Sequence, residues 1–383
     1  ILKFGTFLKP KKIKMKKVKK LITNPGIFFR DYLNRKYPVI NNEQMLVEAH
    51  ESLLIENDFK LLTIESYIRK KTKPIDVVFT WVDNKDPQWQ QKYQQANQQT
   101  DVLEKAALYS NDTARFTNHN ELYYSVHSVQ KFMPWVRRIF IVTDAQTPPW
   151  LAAFPSGNIT IIDHKEIIDH QYLPTFNSHV IEANLYKIPD LSEDFIYFND
   201  DVFVARELVP EHFFRQNGVA SIFIAAKKLK VMQEKGIMTP TLCASLNSIR
   251  LLQRRYDTSI NMPLVHTYVP LKKSMYQLAW ELYEPEIRDF LPNKLRTNED
   301  LNMATFLVPW LMYLEGKSVL TREICYYFNI RSANAPAQYA KLLRKNHTGE
   351  QPHSFCANDF NSKSTIPNYQ SQLISMLQDY YGI

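Results

Sequence analysis

The chain has 383 residues, of which 45% are hydrophobic, and a formal net charge of +8. This length suits one large domain or two ordinary ones, and the hydrophobic content excludes a chain that is disordered throughout. The charge is concentrated at the start, because residues 1–20, ILKFGTFLKPKKIKMKKVKK, hold nine lysines and no acid. The remaining sequence is nearly neutral and has no basic stripe with interleaved aromatics, which argues against single-stranded nucleic acid as a partner.

The lysine-rich arm, residues 1–20, favours contact with anionic lipid heads, although nucleic acid would also attract it and a solvated tail would look the same. The longest apolar stretch, Met303 to Leu314, is too short to span a bilayer and contains Pro309. No secretory signal is visible. Three widely spaced cysteines, Cys243, Cys325 and Cys356, indicate neither a disulfide framework nor structural zinc. We expect a cytoplasmic protein, peripherally associated with the cytoplasmic membrane surface and without nucleic acid.

Residues 1–73 read as the arm followed by a helical lead-in around Glu43 to Lys60. The core then begins with PIDVVFTWVD (74–83), a β-branched and aromatic run that predicts a buried strand. Residues 84–117 are Gln-rich and polar and predict a long surface excursion. A helix is predicted from Asn120, with apolar residues at helical spacing before a proline that ends it.

Four further apolar strands are predicted: RRIFIVTD (137–144), NITIID (158–163), FIYFND (195–200) and VASIFIAA (219–226). Strands that alternate with helices imply a mostly parallel sheet. Longer helical segments follow near 241–255, 273–290 and 301–314, and residues 361–383 read as a short polar tail. The expected fold class is α/β: a Rossmann-like (GT-A-like), mostly parallel sheet in a catalytic domain over 74–360, with a helical insertion or lobe at about 230–320.

Three of the predicted strands end in acid, at Asp83, at Asp144 and at the pair Asp200 and Asp201. Ligands of open α/β sheets bind outside the carboxyl ends of the strands, so these acids are expected at one edge. Asn199 and the two aspartates could also form a simple turn, since such side chains bond nearby backbone. The alternative is a metal or phosphate site.

The chain has only eight glycines and no glycine-rich phosphate loop. A diphosphate would therefore be met by a divalent cation, held by the aspartate pair, and by basic side chains. The candidates for this clamp are Arg115, Lys273, Arg296 and Arg331, each of which could equally be a surface ion pair.

Two histidines stand out in the sequence. His266 lies in a segment bounded by prolines and is either a structural hydrogen-bonder or a general base. His179 and Glu182 are three residues apart on a predicted helix, which places both on one face, either as site residues or as an exposed polar stripe. Chemistry alone supports a metal-assisted transferase or hydrolase.

Several long segments occur in a fixed order and together span about 74–360: PIDVVFTWVDNKD, NELYYSVHSVQKFMPWVRRIFIVTDAQTPPWL, LPTFNSHVIEANLYKIPDLSEDFIYFNDDVF, HTYVPLKKS with RTNEDLN, and FCANDF. They resemble the four ordered blocks of the Stealth family of sugar-1-phosphate transferases. Within the family, the sequence looks most like bacterial capsule polymerases that build poly(hexosamine-1-phosphate). The lysosomal-enzyme GlcNAc-1-phosphotransferase is a more distant relative.

The resemblance implies transfer of N-acetylhexosamine 1-phosphate from a UDP-sugar to a capsule oligosaccharide, with release of UMP. It implies Mg²⁺ (or Mn²⁺) at Asp200 and Asp201, and a base at His266 that takes the hydroxyl proton. The other catalytic residues expected from the motif positions are Asp83, Arg115 and Glu121. The substrate-binding residues expected are Asn120, Asn177, His179, Glu182, Asn199, Lys273, Arg296, Asp300, Arg331 and Asn358. Asp359 belongs to the last block, and Asp144 departs from the family pattern.

Two other functions fit the residues less well. A metal-dependent GT-A glycosyltransferase would use the same aspartates but would release UDP, because the sugar would move without its phosphate. A non-enzymatic, lysine-armed protein that binds membranes or nucleic acid would depend on residues 1–20 and not on Asp200.

Overall fold

The structure is a computed structural model that describes residues 21–23, 25–26, 28–29, 41–42, 48–68, 73–98, 116–154, 157–234, 238–359 and 365–383. The lysine-rich arm and Arg115 lie outside these residues. The chain divides into two compact units, Ile1–Asn41 and Asn42–Ile383. In the first unit the described residues between 21 and 29 are helical. Within the described part of the chain, no helix has the length and apolar content needed to cross a bilayer.

The strands are, in chain order, Asn41–Asn42 (β1), Ile75–Thr80 (β2), Ile139–Thr143 (β3), Ile159–Asp163 (β4), Asp194–Asn199 (β5), Val202–Val204 (β6), Ala220–Phe223 (β7), Val269–Lys272 (β8), Ser318–Thr321 (β9), Cys325–Asn329 (β10) and Ser354–Asn358 (β11). The α-helices of the second unit are Glu48–Ser66 (α1), Pro87–Asn97 (α2), Glu121–Phe132 (α3), His164–Ile167 (α4), Ser178–Ala183 (α5), Pro210–Phe213 (α6), Leu229–Glu234 (α7), Pro240–Arg255 (α8), Lys273–Phe290 (α9), Val308–Leu314 (α10), Ala335–Thr348 (α11) and Tyr369–Tyr381 (α12). Short 3-10 helices span Pro149–Ala153, His170–Tyr172 and Leu185–Lys187, and a π-helix spans Met303–Leu307.

The central sheet has five strands in the order β4, β3, β2, β5, β8. The first four are parallel and β8 is antiparallel to β5. Strands β2, β3 and β5 are buried almost throughout, as expected for parallel strands that are covered on both faces. The predicted α/β class with a mostly parallel sheet is confirmed.

A second sheet begins immediately after the central one, because only two residues separate β5 from β6. In this sheet β11 lies between β10, to which it is parallel, and β6, to which it is antiparallel. Strands β7 and β9 form a separate parallel pair. The turn between β5 and β6 is therefore held from both sides by buried strands.

The segment from about 230 to 320 contains α8, α9 and α10 near the predicted positions. It also contains β8, the edge strand of the central sheet, and β9, so it is not purely helical. The lead-in helix α1 covers Glu48–Ser66, and residues 43–47 of the predicted lead-in lie outside the described residues.

The end of the chain differs from the expected polar tail. Helix α12, Tyr369–Tyr381, packs against the second sheet and buries Leu373, Leu377 and Tyr380. The Tyr380 ring lies 5.3 Å from the Phe355 ring of β11. In this segment the apolar residues at helical spacing are interspersed with Gln, Ser and Asp. The overall composition therefore looks polar, although one face of the helix is buried.

Candidate active site

The aspartate pair occupies the turn that links the two sheets. Thr80 of β2 and Asn199 of β5 are paired in register, so the carboxyl ends of these parallel strands are level. Asp200 and Asp201 follow at once, before β6 begins. Both flanking strands are buried, which anchors the turn and its two adjacent acids at this edge.

Asn358 meets Asp201 because β11 pairs with β6. The register places Cys356 opposite Val202, and the Ala357 amide donates to the Asp201 carbonyl at 3.0 Å. Asp201 Oδ2 then accepts hydrogen bonds from Asn358 Nδ2 at 2.7 Å and from Cys356 Sγ at 3.3 Å. Residues that are about 157 positions apart in the sequence are thus joined by ordinary strand pairing.

His266 approaches Asp201 from the segment before β8, the strand that lies beside β5 on the side opposite β2. Strand β8 runs antiparallel to β5, with Val269 opposite Tyr197, so the residues before Val269 extend towards the carboxyl end of β5. Side-chain ligand atoms of His266, Asp201 and Cys356 all lie within 4.8 Å of one another. The His266 ring also packs edge-on against the Tyr327 ring, with centroids 5.4 Å apart.

Glu121 brings a third carboxylate to the pair. It is the first residue of α3, is buried, and its Oε2 accepts the His119 amide at 2.6 Å. Burial, then the charge of Asp200, raises the pKa of Glu121 well above its ordinary value, and Asp201 adds to this effect. Burial and the neighbouring Asp201 raise the pKa of Asp200 to about 7. Without a cation, Glu121 and Asp200 therefore keep their protons to a higher pH than free carboxyl groups do.

Two oxygen atoms in this cluster have no hydrogen-bond partner among the described residues. Asp201 Oδ1 and Asn358 Oδ1 are both buried and unpartnered there. A buried acceptor without a partner costs free energy. Carboxylate and amide oxygens are the ligands that Mg²⁺ and Mn²⁺ prefer, so the donor set fits a hard divalent cation.

Asp359 forms a second polar centre directly after Asn358. It accepts hydrogen bonds from His119 Nε2 at 2.9 Å and from the Arg331 guanidinium through both of its oxygens. Burial would raise the pKa of Asp359, but the hydrogen bonds and charges of His119 and Arg331 lower it. The Arg331 guanidinium lies 4.8 Å from the Tyr369 ring centroid.

Helix α12 supplies residues that the motif blocks do not include. Gln370 Nε2 lies 2.8 Å from His119 Nδ1, and Tyr369 packs edge-on against the His119 ring at 5.6 Å. His119 could have been found as the neighbour of Asn120 and Glu121 in the second motif block. No local signal points to Tyr369 or Gln370, because they lie in the segment whose composition predicts a polar tail.

A separate buried network contains three of the predicted substrate-binding residues. Asp300 is fully buried and accepts from Asn177 Nδ2 at 2.8 Å and from His179 Nδ1 at 3.0 Å. Asp300 also accepts from the Thr297 amide, the Thr297 hydroxyl and Asn293 Nδ2, each within 3.0 Å. Asn293 Nδ2 in turn lies 3.1 Å from Thr297 Oγ1. Such a fully satisfied carboxylate stabilises the loop that carries it and has little capacity left for a ligand.

Other predicted residues surround the Tyr197 hydroxyl, which contacts Asn199 Oδ1 and Thr80 Oγ1 at 3.0 Å each and Glu182 Oε1 at 3.3 Å. The half-buried Arg296 donates to Ser178 Oγ. Asn120, in a left-handed conformation with φ of 69°, precedes α3 and is exposed.

No described contact joins the aspartate turn to Lys273, Asp144 or Asp83. Lys273 follows Lys272, which pairs with Asp194, so it lies at the opposite, amino end of β5. An extended strand therefore separates Lys273 from His266. Asp144 is bound by Lys92 at 2.8 Å. Asp83 follows β2, where its backbone is bound by Gln146, and Arg115 lies outside the described residues.

Comparison with known proteins gives a consistent assignment. Residues 73–101 match the family model described as Stealth protein CR1, conserved region 1, and residues 115–222 match Stealth protein CR2, conserved region 2. The chain is 61% identical to capsular polysaccharide phosphotransferase LcbA of Neisseria meningitidis, over 96% of this chain and 100% of that protein. It is 62% identical to a capsular polysaccharide phosphotransferase of Actinobacillus suis, over 96% and 99% of the two chains.

Similarity to solved structures is weak. The galactosyltransferase LgtC, in complex with donor and acceptor sugar analogs, aligns with a TM-score of 0.39 and 13% identity, covering 80% of this chain and 95% of that chain. Mouse xyloside xylosyltransferase 1 aligns with a TM-score of 0.38 and 8% identity, covering 77% and 100%. The assignment therefore rests on the sequence relatives, and by their identity and coverage the chain belongs to the Stealth family of capsular polysaccharide phosphotransferases.

Proposed function

We propose that this protein transfers N-acetylhexosamine 1-phosphate, specifically GlcNAc 1-phosphate, from a UDP-sugar to a hydroxyl of a growing capsule chain. UMP is released and a phosphodiester link is formed. The observation that carries the proposal is the convergence of His266, Asp201 and Asn358 beside Glu121 and Asp200, at the carboxyl end of the central strand β5. The names of the relatives, capsular polysaccharide phosphotransferases, support the same reaction class.

His266 acts as the general base in this proposal. Its imidazole takes the proton of the acceptor hydroxyl while the hydroxyl oxygen forms a bond to the β-phosphorus of the donor. The bond between that phosphorus and the UMP oxygen breaks, and the proton later passes from His266 to solvent. The Asp201 carboxylate, close to the ring, stabilises the imidazolium that forms.

The residues that would hold Mg²⁺ (or Mn²⁺) are Asp200, Asp201 and Asn358, with Glu121 beside them. Their oxygen donors and the unpartnered Oδ1 atoms of Asp201 and Asn358 fit a hard cation. When bound, such a cation supplies charge neutralisation for the diphosphate. Arg331, fixed by Asp359 and by the Tyr369 ring, adds positive charge on the same side.

The remaining predicted residues divide into two roles. We propose substrate contact for Asp83, Asn120, Glu182, Asn199 and Arg296, and Arg115 stays a prediction from its motif position. Asn177, His179 and Asp300 position the loop that carries Arg296, because their polar atoms satisfy one another. Lys273 has no role in this proposal.

One assay tests the proposal and separates it from glycosyl transfer. The protein is incubated with a panel of UDP-sugars and a capsule oligosaccharide, the nucleotide is identified as UMP or UDP, and the product is examined by phosphorus NMR. We expect UMP, a phosphodiester signal and dependence on Asp201 in an Asp201→Asn variant. The exposed Asp257 provides a control in Asp257→Asn, which should keep full turnover. Release of UDP would identify a glycosyltransferase, and no turnover with any donor would overturn the proposal.

A further inference from the structure

A cleft of about 380 Å³ lies away from the aspartate turn. One wall comes from α9, which is kinked at the non-helical residue Tyr283: Trp280 and Glu281 precede the kink, and Glu284 and Arg288 follow it. The facing wall comes from two short 3-10 helices, His170–Tyr172 and Leu185–Lys187, with Asp169 and Asn184 beside them. Its volume lies within the range of about 300 to 1,000 Å³ that is typical of small-molecule sites.

The aromatic side chains of the cleft are held in fixed positions. The Trp280 indole N–H donates to the Ala183 carbonyl at 2.9 Å, and the Tyr186 and Trp280 ring centroids are 6.0 Å apart. Tyr186 is stacked in turn on the buried Tyr276 ring. Trp280 and Tyr186 are half-buried and packed against these neighbours, so they form a rigid apolar surface with a polar edge.

Charged groups of both signs surround this aromatic surface. Lys187 Nζ lies 5.0 Å and the Arg288 guanidinium 5.9 Å from the Trp280 ring centroid. Burial, and then the neighbouring charge of Arg288, lowers the pKa of Lys187. Hydrogen-bond acceptors are supplied by the carboxylates of the walls, so donors and acceptors are both close to an apolar platform. This combination suits a ring that has an apolar face and a rim of hydroxyl and amide groups.

We infer that this cleft binds a saccharide repeat of the acceptor glycan, one that lies upstream of the repeat at the reacting end. The inference rests on the proposed function, because it assumes a polymeric hexosamine acceptor. Trp280 and Tyr186 pack against the sugar ring, the carboxylates accept from its hydroxyls, and Lys187 contacts the adjoining phosphodiester.

Helix α5 connects this cleft to the candidate active site. Glu182 of α5 contacts the Tyr197 hydroxyl beside Asn199, whereas Asn184, immediately after the helix, lines the cleft. At the far end of α9, Leu291 lines the cleft and Asn293 belongs to the Asp300 network. Residues 179–183 of this helix are buried, so the helix links the two places through the interior, and a glycan whose terminal repeat enters the active site would reach the cleft over the residues that cover it. The consequence is tighter binding of long acceptors than of short ones.

The test compares acceptors of one repeat with long hexosamine-1-phosphate oligomers at saturating UDP-sugar. Trp280→Ala should raise KM for the long oligomers about tenfold, the equivalent of one well-packed aromatic contact. It should leave KM for the single repeat and for the donor unchanged. Lys187→Gln should give a smaller increase without affecting folding. Tyr313→Ala, an exposed aromatic on α10 outside the cleft, should change neither value.

A uniform change for short and long acceptors, or no change with a folded Trp280→Ala and Lys187→Gln, would overturn the inference. Equilibrium binding of the long oligomer without donor, measured by isothermal titration calorimetry, keeps this test separate from the proposed reaction. If the wild-type protein binds the oligomer and Trp280→Ala does not, the cleft is a glycan site even if the transferred group is different. If transfer occurs but oligomer binding is equal in both proteins, the cleft inference fails and the proposed function stands.

Discussion

Replacement of Glu323 by Gln should destabilise the fold and disturb the segment that carries His266. Glu323 is fully buried, and its Oε1 accepts from the Tyr268 hydroxyl at 2.7 Å and from Ser354 Oγ at 2.8 Å. Its Oε2 lies 2.9 Å from His212 Nε2. Thr267 Oγ1 contacts Ser354 Oγ at 2.8 Å, so this one carboxylate ties the residues after His266 to the start of β11.

Two physical quantities set the magnitude of this loss. Burial alone would raise the pKa of Glu323, but the charges of His353 and His212 and their hydrogen bonds lower it to about 2 from an ordinary 4.5. That difference corresponds to about 3 kcal/mol of stabilisation of the ionised form. Burial lowers the pKa of His212, so its ring is a neutral partner at neutral pH, and the loss there is that of hydrogen bonds to an ionised carboxylate, roughly 1.5 to 3 kcal/mol each. We therefore expect Glu323→Gln to lose about 3 kcal/mol of unfolding free energy, and Glu323→Ala to lose more.

Urea denaturation of the wild-type protein, Glu323→Gln and the control Glu350→Gln, at an exposed position, measures this loss. Because the folded pKa of Glu323 is below the unfolded value, its contribution is fully present above about pH 4.5 and is lost as pH falls through about 2. The stability difference between wild type and Glu323→Gln should thus stay constant from neutral pH to about pH 5 and narrow below that. A Glu323→Gln midpoint no lower than that of Glu350→Gln would refute the reasoning.

Three further outcomes are expected. His266→Ala should lower turnover by about 10²- to 10⁴-fold while UDP-sugar binding stays near normal, because the base touches the acceptor hydroxyl; a loss below about tenfold, or lost donor affinity, would contradict the role. Excess chelator should suppress transfer and Mg²⁺ should restore it, and full turnover in chelator would rule out the cation. Calorimetry in the presence of UDP should detect weaker Mg²⁺ binding by Asp201→Asn than by the wild-type protein. Removal of residues 1–20 should weaken association with anionic vesicles but leave turnover on a soluble acceptor nearly intact, and a large loss of that turnover would show that the arm belongs to the catalytic fold.

The central sheet was predictable because its strands are continuous apolar runs. PIDVVFTWVD, RRIFIVTD, NITIID and FIYFND each became one strand, and their parallel order follows from the helices between them. The position of the aspartates at the end of β5 was predictable for the same reason, since ionised side chains are excluded from the buried part of a strand and must follow its last apolar residue. Strand β8 was missed because its four residues include Pro270 and lie between helical patterns.

The grouping of site residues was only partly predictable, because motif position does not report distance. Asn177, His179 and Asp300 belong to recognisable blocks, yet their polar atoms face one another. Lys273 follows His266 by seven residues in the sequence, but extended backbone places it at the other end of β5. The contacts of Tyr369 and Gln370 depend on the packing of a C-terminal helix, which no local pattern specified.

The distribution of satisfied and unsatisfied acceptors is what distinguishes the proposed centre from its surroundings. Asp300 and Glu323 are fully buried carboxylates, and each accepts several hydrogen bonds from the protein itself. Asp201 Oδ1 and Asn358 Oδ1 are buried as well, yet within the described part of the chain neither has a partner. Each such atom costs about 1 to 3 kcal/mol, a cost that a ligand or cation can recover on binding. The hydrogen-bond networks of Asp300 and Glu323 keep the loops around these two unpartnered oxygens rigid. The free energy gained when a ligand or cation binds the oxygens can therefore be used to bind and orient the reactants.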